Sequence, residues 1–447
     1  MKSISRTNLL SSFKVLAVLL SLVLMFTACG NNMGSASEEG GGQSGSEQSG
    51  SGQDDSGQDS QEQQQDCVML QGYDISTYEI VYSNQDANAE VLAHWLANEI
   101  RDLTELQLTV KDDTAEASDR EILIGATNRT GCSYTSQALR QNGYLIGVDE
   151  TCVCARGADA VGTRYAVYDL MTAFTESLAE GKEVMLADSK VAQIPESNTL
   201  KAMSFNVLYD DISTQRELSV IQTILRNFPD TFGIQEGTLH WMQYFRKTIG
   251  SIYGSVGIGR DGTEDSEHTA IFYRKDRFEL VEGATKWLSD TPDKVSKFEE
   301  SSQTRIFTYA ILTDKQTDTN ILVVNAHLDQ TSGVGRDRQA VVLMEFIQQY
   351  PEYPVVLTGD FNTMDTSETY KIVTEQLLDA AETAEVSEKS FTYIGSKKTI
   401  DFIFVSPEKI DVLNYRVITR IENGRVPSDH YPIIMEYNIT NEKSGKE

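Results

Sequence analysis

Basic side chains are scarce in this sequence. Its 447 residues include 38 lysines and arginines against 67 aspartates and glutamates, which gives a formal net charge of −29. Proteins that hold nucleic acid through charge alone need clustered lysine and arginine to neutralise phosphates. The composition therefore argues against high-affinity binding of duplex nucleic acid. Any phosphorylated ligand would need a metal ion or a local basic site to draw it in.

Long hydrophobic runs are scarce too, and the apolar run at residues 15–25 is too short for an ordinary membrane span. Lys2, Arg6 and Lys14 precede this run, and "FTAC" follows it, which is typical of a targeting segment. This start resembles a bacterial lipoprotein signal over residues 1–29, in which Cys29 is lipidated; a conventional signal peptide is the alternative. Residues 30–66 are almost wholly Gly, Ser, Gln and acidic residues, so we expect a disordered tether.

Cysteine occurs five times. The four cysteines beyond the signal are Cys67, Cys132, Cys152 and Cys154. Outside the cytoplasm they could form disulfides, whose pairing the sequence does not define, and buried free thiols are the alternative. Cys152 and Cys154 lie on one predicted strand with no histidine cluster near them, so a zinc site is not expected.

Residues 67–195 alternate between strand and helix patterns. "NAEVLAHWLANEIRDLT" has an apolar stripe at helical spacing, whereas "ILIGAT" and "GYLIGVDETCVCARG" are typical of strands. This stretch resembles the small α/β domain that precedes the catalytic barrel of hexosaminidase- and α-glucuronidase-like glycosidases. The resemblance implies a supporting role or contact with a glycan. No sugar-cleaving barrel with paired carboxylates follows, which disfavours a glycosidase.

Residues 198–440 contain many short apolar strands, among them "KAMSFNVL", "NILVVNAHLD", "PVVLTGDFN" and "IDFIFVS". Helical patterns fit between them at residues 214–228, 239–249, 335–350 and 367–377. Many strands with few helices predict two sheets packed face to face and flanked by helices. The expected fold class is α+β: a four-layer α/β/β/α sandwich of two mainly antiparallel sheets, preceded by the small α/β domain.

Polar side chains stand at the ends of these predicted strands. One Asp or Asn at such a place is usually a turn or cap residue, but here six strand ends carry polar residues. They are Asn206, Glu236, His327 with Asp329, Asp360 with Asn362, Asp401, and Asp429 with His430. Strand ends on one edge of a sandwich converge. Acids, amides and two histidines together suit metal-assisted hydrolysis of phosphate esters.

The ordered motifs "MSFN", "IQE", "NAHLD", "TGDFN", "IDFIFVS" and "SDHYP" resemble those of the endonuclease/exonuclease/phosphatase superfamily, which has the DNase I-like fold. The resemblance implies Mg²⁺, or Mn²⁺, as the cofactor. It also implies a phosphorylated small molecule, nucleotide, lipid or sugar phosphate as the substrate. The reaction class follows from the resemblance, and the substrate within that class stays open.

The same resemblance implies a role for each residue. The implied roles are Glu236, Asn206 and Asp429 for the metal; His430, Asp401, His327, Asp360 and Asn362 for catalysis; and Arg305 and His268 for substrate contact. Asp401 would orient the imidazole of His430, and either His430 or Asp360 would act as the general base. His327 would stabilise the transition state or protonate the leaving group.

A non-catalytic carbohydrate-binding or adhesion lipoprotein is the alternative function. Such a protein would bind its ligand through the N-terminal module and would have lost some of the predicted catalytic residues. Every one of those residues is present in this sequence. The expected protein is therefore an extracytoplasmic, membrane-anchored hydrolase of phosphodiesters or phosphomonoesters.

Overall fold

The computed structural model describes residues 68–181, 183–186, 189–210 and 212–440. The expected signal with Cys29, the expected tether and Cys67 lie outside the described residues. Within the described ranges, no helix combines the length and the apolar character needed to cross a membrane.

The described residues divide into two compact units, one of residues 68–77 and 172–186 and one containing the rest. The first unit contains a hairpin of β1 (Met69–Leu70) and β2 (Tyr73–Asp74), which a 3₁₀ turn at Ile75–Thr77 follows. Gly72 adopts a φ of +80° in the hairpin turn, a conformation that glycine reaches without a steric penalty. The sequence division at residue 195 stays a prediction.

The second unit begins with a six-stranded sheet. Its strands are β3 (Glu79–Tyr82), β4 (Val110–Asp112), β5 (Glu121–Ile124), β6 (Gly143–Val148), β7 (Cys152–Gly157) and β8 (Ser189–Gln193), in the order β4-β3-β5-β7-β6-β8. Helix α1 (Ala87–Thr104) follows β3, and helix α2 (Ala160–Ala179) follows β7. We call strands β3 to β8 and helix α1 the N-terminal module. Asp86 begins α1 as its N-cap and accepts a hydrogen bond from the Asn88 backbone N–H.

One disulfide links two segments of the N-terminal module. Cys132 and Cys152 are bonded, with their Cα atoms 6.1 Å apart, and Cys154 is a buried free thiol. Burial raises the pKa of the Cys154 thiol to about 12, so this thiol is unreactive near neutral pH. Among the described cysteines, both alternatives left open by the sequence therefore occur, one pairing and one free thiol.

The remaining strands form two large sheets. The first contains β9 (Leu200–Asn206), β10 (Thr231–Gln235), β11 (Tyr253–Val256), β12 (Ile271–Arg274), β18 (Val386–Glu388), β20 (Ile410–Val417) and β21 (Ile433–Ile439), in the order β11-β12-β10-β9-β21-β20-β18. The second contains β13 (Phe278–Trp287), β14 (Ile306–Asp314), β15 (Thr319–His327), β16 (Val355–Asp360), β17 (Leu378–Asp379) and β19 (Asp401–Val405), in the order β13-β14-β15-β16-β19-β17. Pairing is mainly antiparallel, but β9 with β10, β15 with β16 and β18 with β20 are parallel pairs.

Five helices accompany these sheets: α3 (Thr214–Asn227), α4 (Leu239–Thr248), α5 (Gly333–Ile347), α6 (Glu368–Thr374) and α7 (Ala380–Thr383). One apolar core lies between the sheets and includes Ala202, Val323 and Ile433. Other apolar side chains bury the outer faces, as where Leu343 of α5 packs in a cluster with Leu357 of β16. The predicted α+β class with a four-layer sandwich is confirmed.

Candidate active site

Strand direction brings polar residues to one edge of the sandwich. The paired residues at this edge are Asn206 with Gln235, His327 with Asp360, and Asp360 with Asp401. Glu236 directly follows β10, and His430 lies shortly before β21, which pairs with β9. Parallel neighbours end at the same edge of a sheet, so residues far apart in the chain meet there.

The Asn206 side chain connects the two sheets. Its Nδ2 donates to Glu236 Oε1 and to Asp360 Oδ2, both at 3.0 Å, while its Oδ1 accepts from the Leu208 backbone N–H at 3.0 Å. Asn206 is buried, whereas Glu236 is half-buried. One buried amide therefore fixes the separation of two carboxylates that belong to different sheets.

Two residues of the site have left-handed backbones. Glu236 has a φ of +61° and Asn362 a φ of +50°; this conformation costs a residue such as Glu236 about 1 kcal/mol or more, whereas asparagine adopts it more readily. Local hydrogen bonds hold both residues: Tyr209 N–H donates to Glu236 Oε2 at 3.0 Å, and Asn362 N–H donates to Asp360 Oδ1 at 2.9 Å. Strain of this kind is concentrated at functional sites, where surrounding contacts maintain it.

His430 and Asp401 form a buried dyad. His430 Nδ1 donates to Asp401 Oδ2 at 2.8 Å, and His430 Nε2 lies 3.8 Å from Asp360 Oδ2. Burial disfavours the charged imidazole, but the charge and hydrogen bond of Asp401 outweigh burial and raise the pKa of His430 to about 10. An imidazolium held in this way is a hydrogen-bond donor at Nε2.

Asp360 lies at the centre of the cluster and is buried. Burial and the neighbouring charge of Asp401 raise the pKa of Asp360, while His430 and the hydrogen bonds from Asn362 and Asn206 offset part of the rise. A carboxylate with a raised pKa is a better proton acceptor near neutral pH. Asp360 is therefore suited to take a proton from water.

Arg305 determines the tautomer of His327. Arg305 Nη1 lies 3.0 Å from His327 Nδ1, and a guanidinium can only donate, so Nδ1 accepts and Nε2 carries the proton of the neutral ring. Burial and the charge of Arg305 hold the pKa of His327 well below its usual value. Asn362 Nδ2 donates to the Leu328 carbonyl, and its 3.1 Å contact with the protonated Nε2 joins two donors, so it is not a hydrogen bond. Asp360 Oδ2, which can accept, lies 3.6 Å from Nε2. This geometry favours a neutral hydrogen-bond donor over an acid that starts from the charged form.

A hard divalent cation fits the oxygen donors of this edge. Each carboxylate oxygen of Glu236 accepts one hydrogen bond and keeps a second lone pair, and Asn206 and half-buried Asp429 add further oxygens nearby in the fold. Ligand atoms of Asp360, Asp401 and His430 also lie within 4.8 Å of one another. That second set suits a cation less well, because its imidazole is protonated and already bonded to Asp401.

Two other predicted residues have supporting contacts. His268 is fully buried, with its Nδ1 3.0 Å from the Gly237 carbonyl, so it holds the backbone that follows Glu236. Asp329 is fully buried and accepts from the Thr331 and Ser332 backbone N–H groups. For His268, the predicted contact with substrate stays a prediction.

Sequence reasoning missed two arginines near the site. Arg260 carries a charge that lowers the pKa of His327, and it bonds Glu267 at 3.0 Å. Arg216 is buried in α3 and donates to the carbonyls of Val207 and Pro427, at 2.6 and 3.1 Å. Arg260 lies in a loop without a recognisable motif. Arg216 could have been noticed as a charge within the amphipathic pattern of α3.

A cavity of about 800 Å³ lies away from this cluster, and its lining includes Lys201, Asp230 and Arg274. Lys201 lies near the start of β9 and Asn206 at its end, about 17 Å apart at a strand rise of about 3.3 Å per residue. The lining contains none of the strand-end acids, amides or histidines. We therefore assign the candidate active site to the cluster of strand-end residues and not to this cavity.

Three comparisons with known proteins show what this chain is similar to. The model of the "Endonuclease/Exonuclease/phosphatase family" matches residues 203–430. Human nocturnin is 24% identical over 265 residues, which span 52% of this chain and 59% of nocturnin. This chain thus spans less than two thirds of that curated relative.

Two solved bacterial structures are similar to the chain. An endonuclease/exonuclease/phosphatase family protein from Bacteroides thetaiotaomicron is 30% identical, with 54% of this chain and 98% of that chain covered and a TM-score of 0.50. A second, from Bacteroides vulgatus, is 29% identical, with 54% and 99% covered and a TM-score of 0.51. The family match covers about half of the chain and extends from β9 to His430. The chain therefore belongs to the endonuclease/exonuclease/phosphatase family, whose members are metal-dependent phosphoesterases.

Proposed function

We propose that this chain is an extracytoplasmic, Mg²⁺-dependent phosphoesterase that hydrolyses phosphodiesters or phosphomonoesters. The observation that carries the proposal is the Asn206 amide between Glu236 and Asp360, with the Asp401–His430 dyad beside them. This set combines a carboxylate for a cation, a proton acceptor and donors for phosphate oxygens at one edge.

Glu236, Asn206 and Asp429 would hold the cation. Mg²⁺ is proposed because it takes oxygen ligands and is commonly bound through one or two carboxylates, and Mn²⁺ accepts the same donors. When bound, the cation supplies a Lewis acid that neutralises charge on the phosphate.

The other side chains of the cluster would accept a proton or donate hydrogen bonds during the reaction. Asp360 accepts a proton from the attacking water, since its pKa is raised by burial and by Asp401. His430 donates from Nε2 to a phosphoryl oxygen, and Asp401 keeps the imidazole in that orientation. His327 donates from Nε2, with Arg305 fixing its tautomer.

The substrate class follows from charge. The chain has a net charge of −29, which opposes long polyanions, while Arg305 and Arg260 place positive charge locally beside His327. These features favour a compact phosphorylated molecule, such as a nucleotide, a lipid headgroup or a sugar phosphate.

A panel of phosphodiesters and phosphomonoesters tests the proposal. We expect turnover with Mg²⁺ or Mn²⁺ and none with excess chelator. Glu236→Ala and His430→Ala should each reduce kcat about 10²-fold or more, because each removes a positioned group. Circular dichroism of both variants provides the control for folding. Unchanged turnover in chelator, or wild-type rates in both variants, would refute the assignment.

Location outside the cytoplasm is part of the proposal. The charged and apolar start of the chain supports it, and so does the Cys132–Cys152 disulfide, because structural disulfides persist in oxidising compartments. Contact of the N-terminal module with a glycan stays a prediction, which a glycan array would check. Glycan binding without hydrolysis of any ester in the panel would favour the adhesion alternative.

A further inference from the structure

The loop that carries the catalytic histidine has a rigid tip. Residues 418–432 join β20 to β21 and include Asp429 and His430, and we call them the histidine loop. Asn423 and Gly424 adopt φ values of +51° and +72°, as in a two-residue hairpin turn. Glu422 and Arg425 close this turn with two backbone hydrogen bonds of 3.2 and 3.1 Å. The tip is therefore a closed, hydrogen-bonded turn.

Four charged side chains join this tip to α1 and α3. Glu99 of α1 accepts from Arg226 at 2.5 Å and from Arg420 at 3.2 Å. Arg226 also donates to Glu422 at 2.6 Å. Glu99 and Glu422 are buried, with only 9% and 5% of their side chains exposed. Two acids and two bases form a neutral, largely buried cluster, and bonds of this kind are charge-assisted and strong.

Burial disfavours a charge on Glu99. Arg226 and Arg420 outweigh that effect and lower the pKa of Glu99 below its usual value. The carboxylate is therefore ionised at neutral pH and neutralises part of the positive charge of both arginines. Without it, Arg226 and Arg420 would share Glu422 alone.

Other contacts continue from the tip to the catalytic pair. Arg101 of α1 lies 3.4 Å from the Asn423 side chain, and Gln215 of α3 donates to the Asn423 carbonyl at 2.8 Å. Arg216 donates to the Pro427 carbonyl, and Ser428 Oγ donates to the Asn206 carbonyl at 2.7 Å. The histidine loop is thus held at its tip by α1 and α3, and at its base by the strand that ends in Asn206.

We propose that Glu99 is a positioning residue for the active site: by binding Arg226 and Arg420, it fixes the histidine loop so that His430 faces Asp360. The inference rests on the proposed phosphoesterase function and extends it to the N-terminal module. The family match begins at residue 203, so Glu99 lies outside the part of the chain that the family model describes.

Glu99→Gln tests this role in the full chain. The variant keeps the shape of the side chain and removes its charge. Because misplacing a catalytic group by about 1 Å can cost up to about 10²-fold in rate, we expect kcat to fall about tenfold. KM should stay within about twofold, since the groups that bind the substrate ground state are unchanged. Amide hydrogen exchange in residues 418–432 should become faster.

Glu90→Gln is the matched control. Glu90 also lies on α1 and pairs with Lys247 at 3.8 Å, but this pair is solvent-exposed and does not involve the histidine loop. Exposed pairs of this kind contribute little to stability, so kcat and exchange should match the wild type. If Glu99→Gln behaves like Glu90→Gln in both measurements, the positioning role is wrong.

A double variant separates positioning from general destabilisation. Glu99→Gln with Arg420→Gln leaves the Arg226–Glu422 pair intact and restores charge balance. We expect its loss of kcat and its faster exchange to match those of Glu99→Gln, since both changes break the same contact and changes within one network are not additive. Losses that equal the sum of those of Glu99→Gln and Arg420→Gln, each measured alone, would contradict the proposal. If the wild type hydrolyses no ester in the panel, the function fails, and the exchange comparison alone still decides whether Glu99 holds the loop.

Discussion

At the scale of single residues, the site depends on side chains that can act only as hydrogen-bond donors or only as acceptors. Arg305 offers only donors, so His327 must accept at Nδ1 and present N–H at Nε2. Asp401 accepts from His430 Nδ1 and directs Nε2 toward Asp360. Each histidine is thus oriented by one neighbour, and the Nε2 atoms of both lie near Asp360 Oδ2, at 3.6 and 3.8 Å.

The depressed pKa of His327 predicts a pH-dependent stability. The unfolded chain protonates this histidine near pH 6.5 and the folded chain does not, so the folded state loses stability as pH falls below 6.5. Compared with His327→Gln, the wild type should lose about 1 kcal/mol of unfolding free energy between pH 7.5 and pH 5.5. Urea denaturation of both proteins at each pH measures the difference. A difference that does not change with pH would show that His327 titrates normally.

At the scale of elements, α3 serves both the fold and the site. Its apolar face is buried, while its charged and polar residues bind the backbone next to Asn206 and the histidine loop. Arg216 is almost fully buried, and its guanidinium lies 4.9 Å from the Trp241 ring centre. A buried arginine that donates to four loop carbonyls organises those loops.

Arg216→Met should reveal this role. It keeps much of the side-chain volume but removes the donor that the carbonyls of Val207 and Pro427 accept from. We expect a loss of about 3 kcal/mol in stability, together with lower kcat, because the residues after Asn206 and the histidine loop both lose hydrogen bonds. Arg246→Met is the control, since Arg246 forms an exposed pair with Glu264. Chemical denaturation and kinetics compare the two, and equal stability losses would contradict the assignment.

At the scale of the whole molecule, the net charge and the proposed membrane anchor both bear on the choice of substrate. A net charge of −29 opposes the binding of long nucleic acids, and in the proposed function the local arginines attract a compact phosphate ester. A surface anchor would place such an enzyme where external phosphate esters arrive. The N-terminal module contributes Glu99 to the histidine loop, so it acts with the catalytic sandwich through direct contact.

Cys29→Ala tests the anchor. The full chain, produced in a bacterium and grown with labelled palmitate, should carry label and sediment with membranes, because acylated lipoproteins are held by several chains. The variant should lose the label. Wild-type protein without label, or a variant that keeps it, would show that residues 1–29 are a conventional signal or have another role.

By itself, the sequence determined the fold class and the identity of most strand-end residues. Alternating apolar strands and the polar residues that end them are local patterns, and "TGDFN" or "SDHYP" place Asp360 and His430 without any distant contact. Helices α3 to α6 begin close to their predicted positions for the same reason, since caps such as Ser213 act within one turn.

Only the tertiary structure decided which of these residues act on one another. The Arg305–His327 contact, the Cys132–Cys152 pairing, the buried position of His268 and the link from Glu99 to Arg420 each join segments that no local pattern relates. Burial and hydrogen bonding, which set tautomers, pKa values and loop positions, depend on what the whole chain packs around a group. Local periodicity could therefore identify the polar residues at the strand ends, whereas their charge states and their hydrogen-bond partners depend on the packed sheets and the N-terminal module.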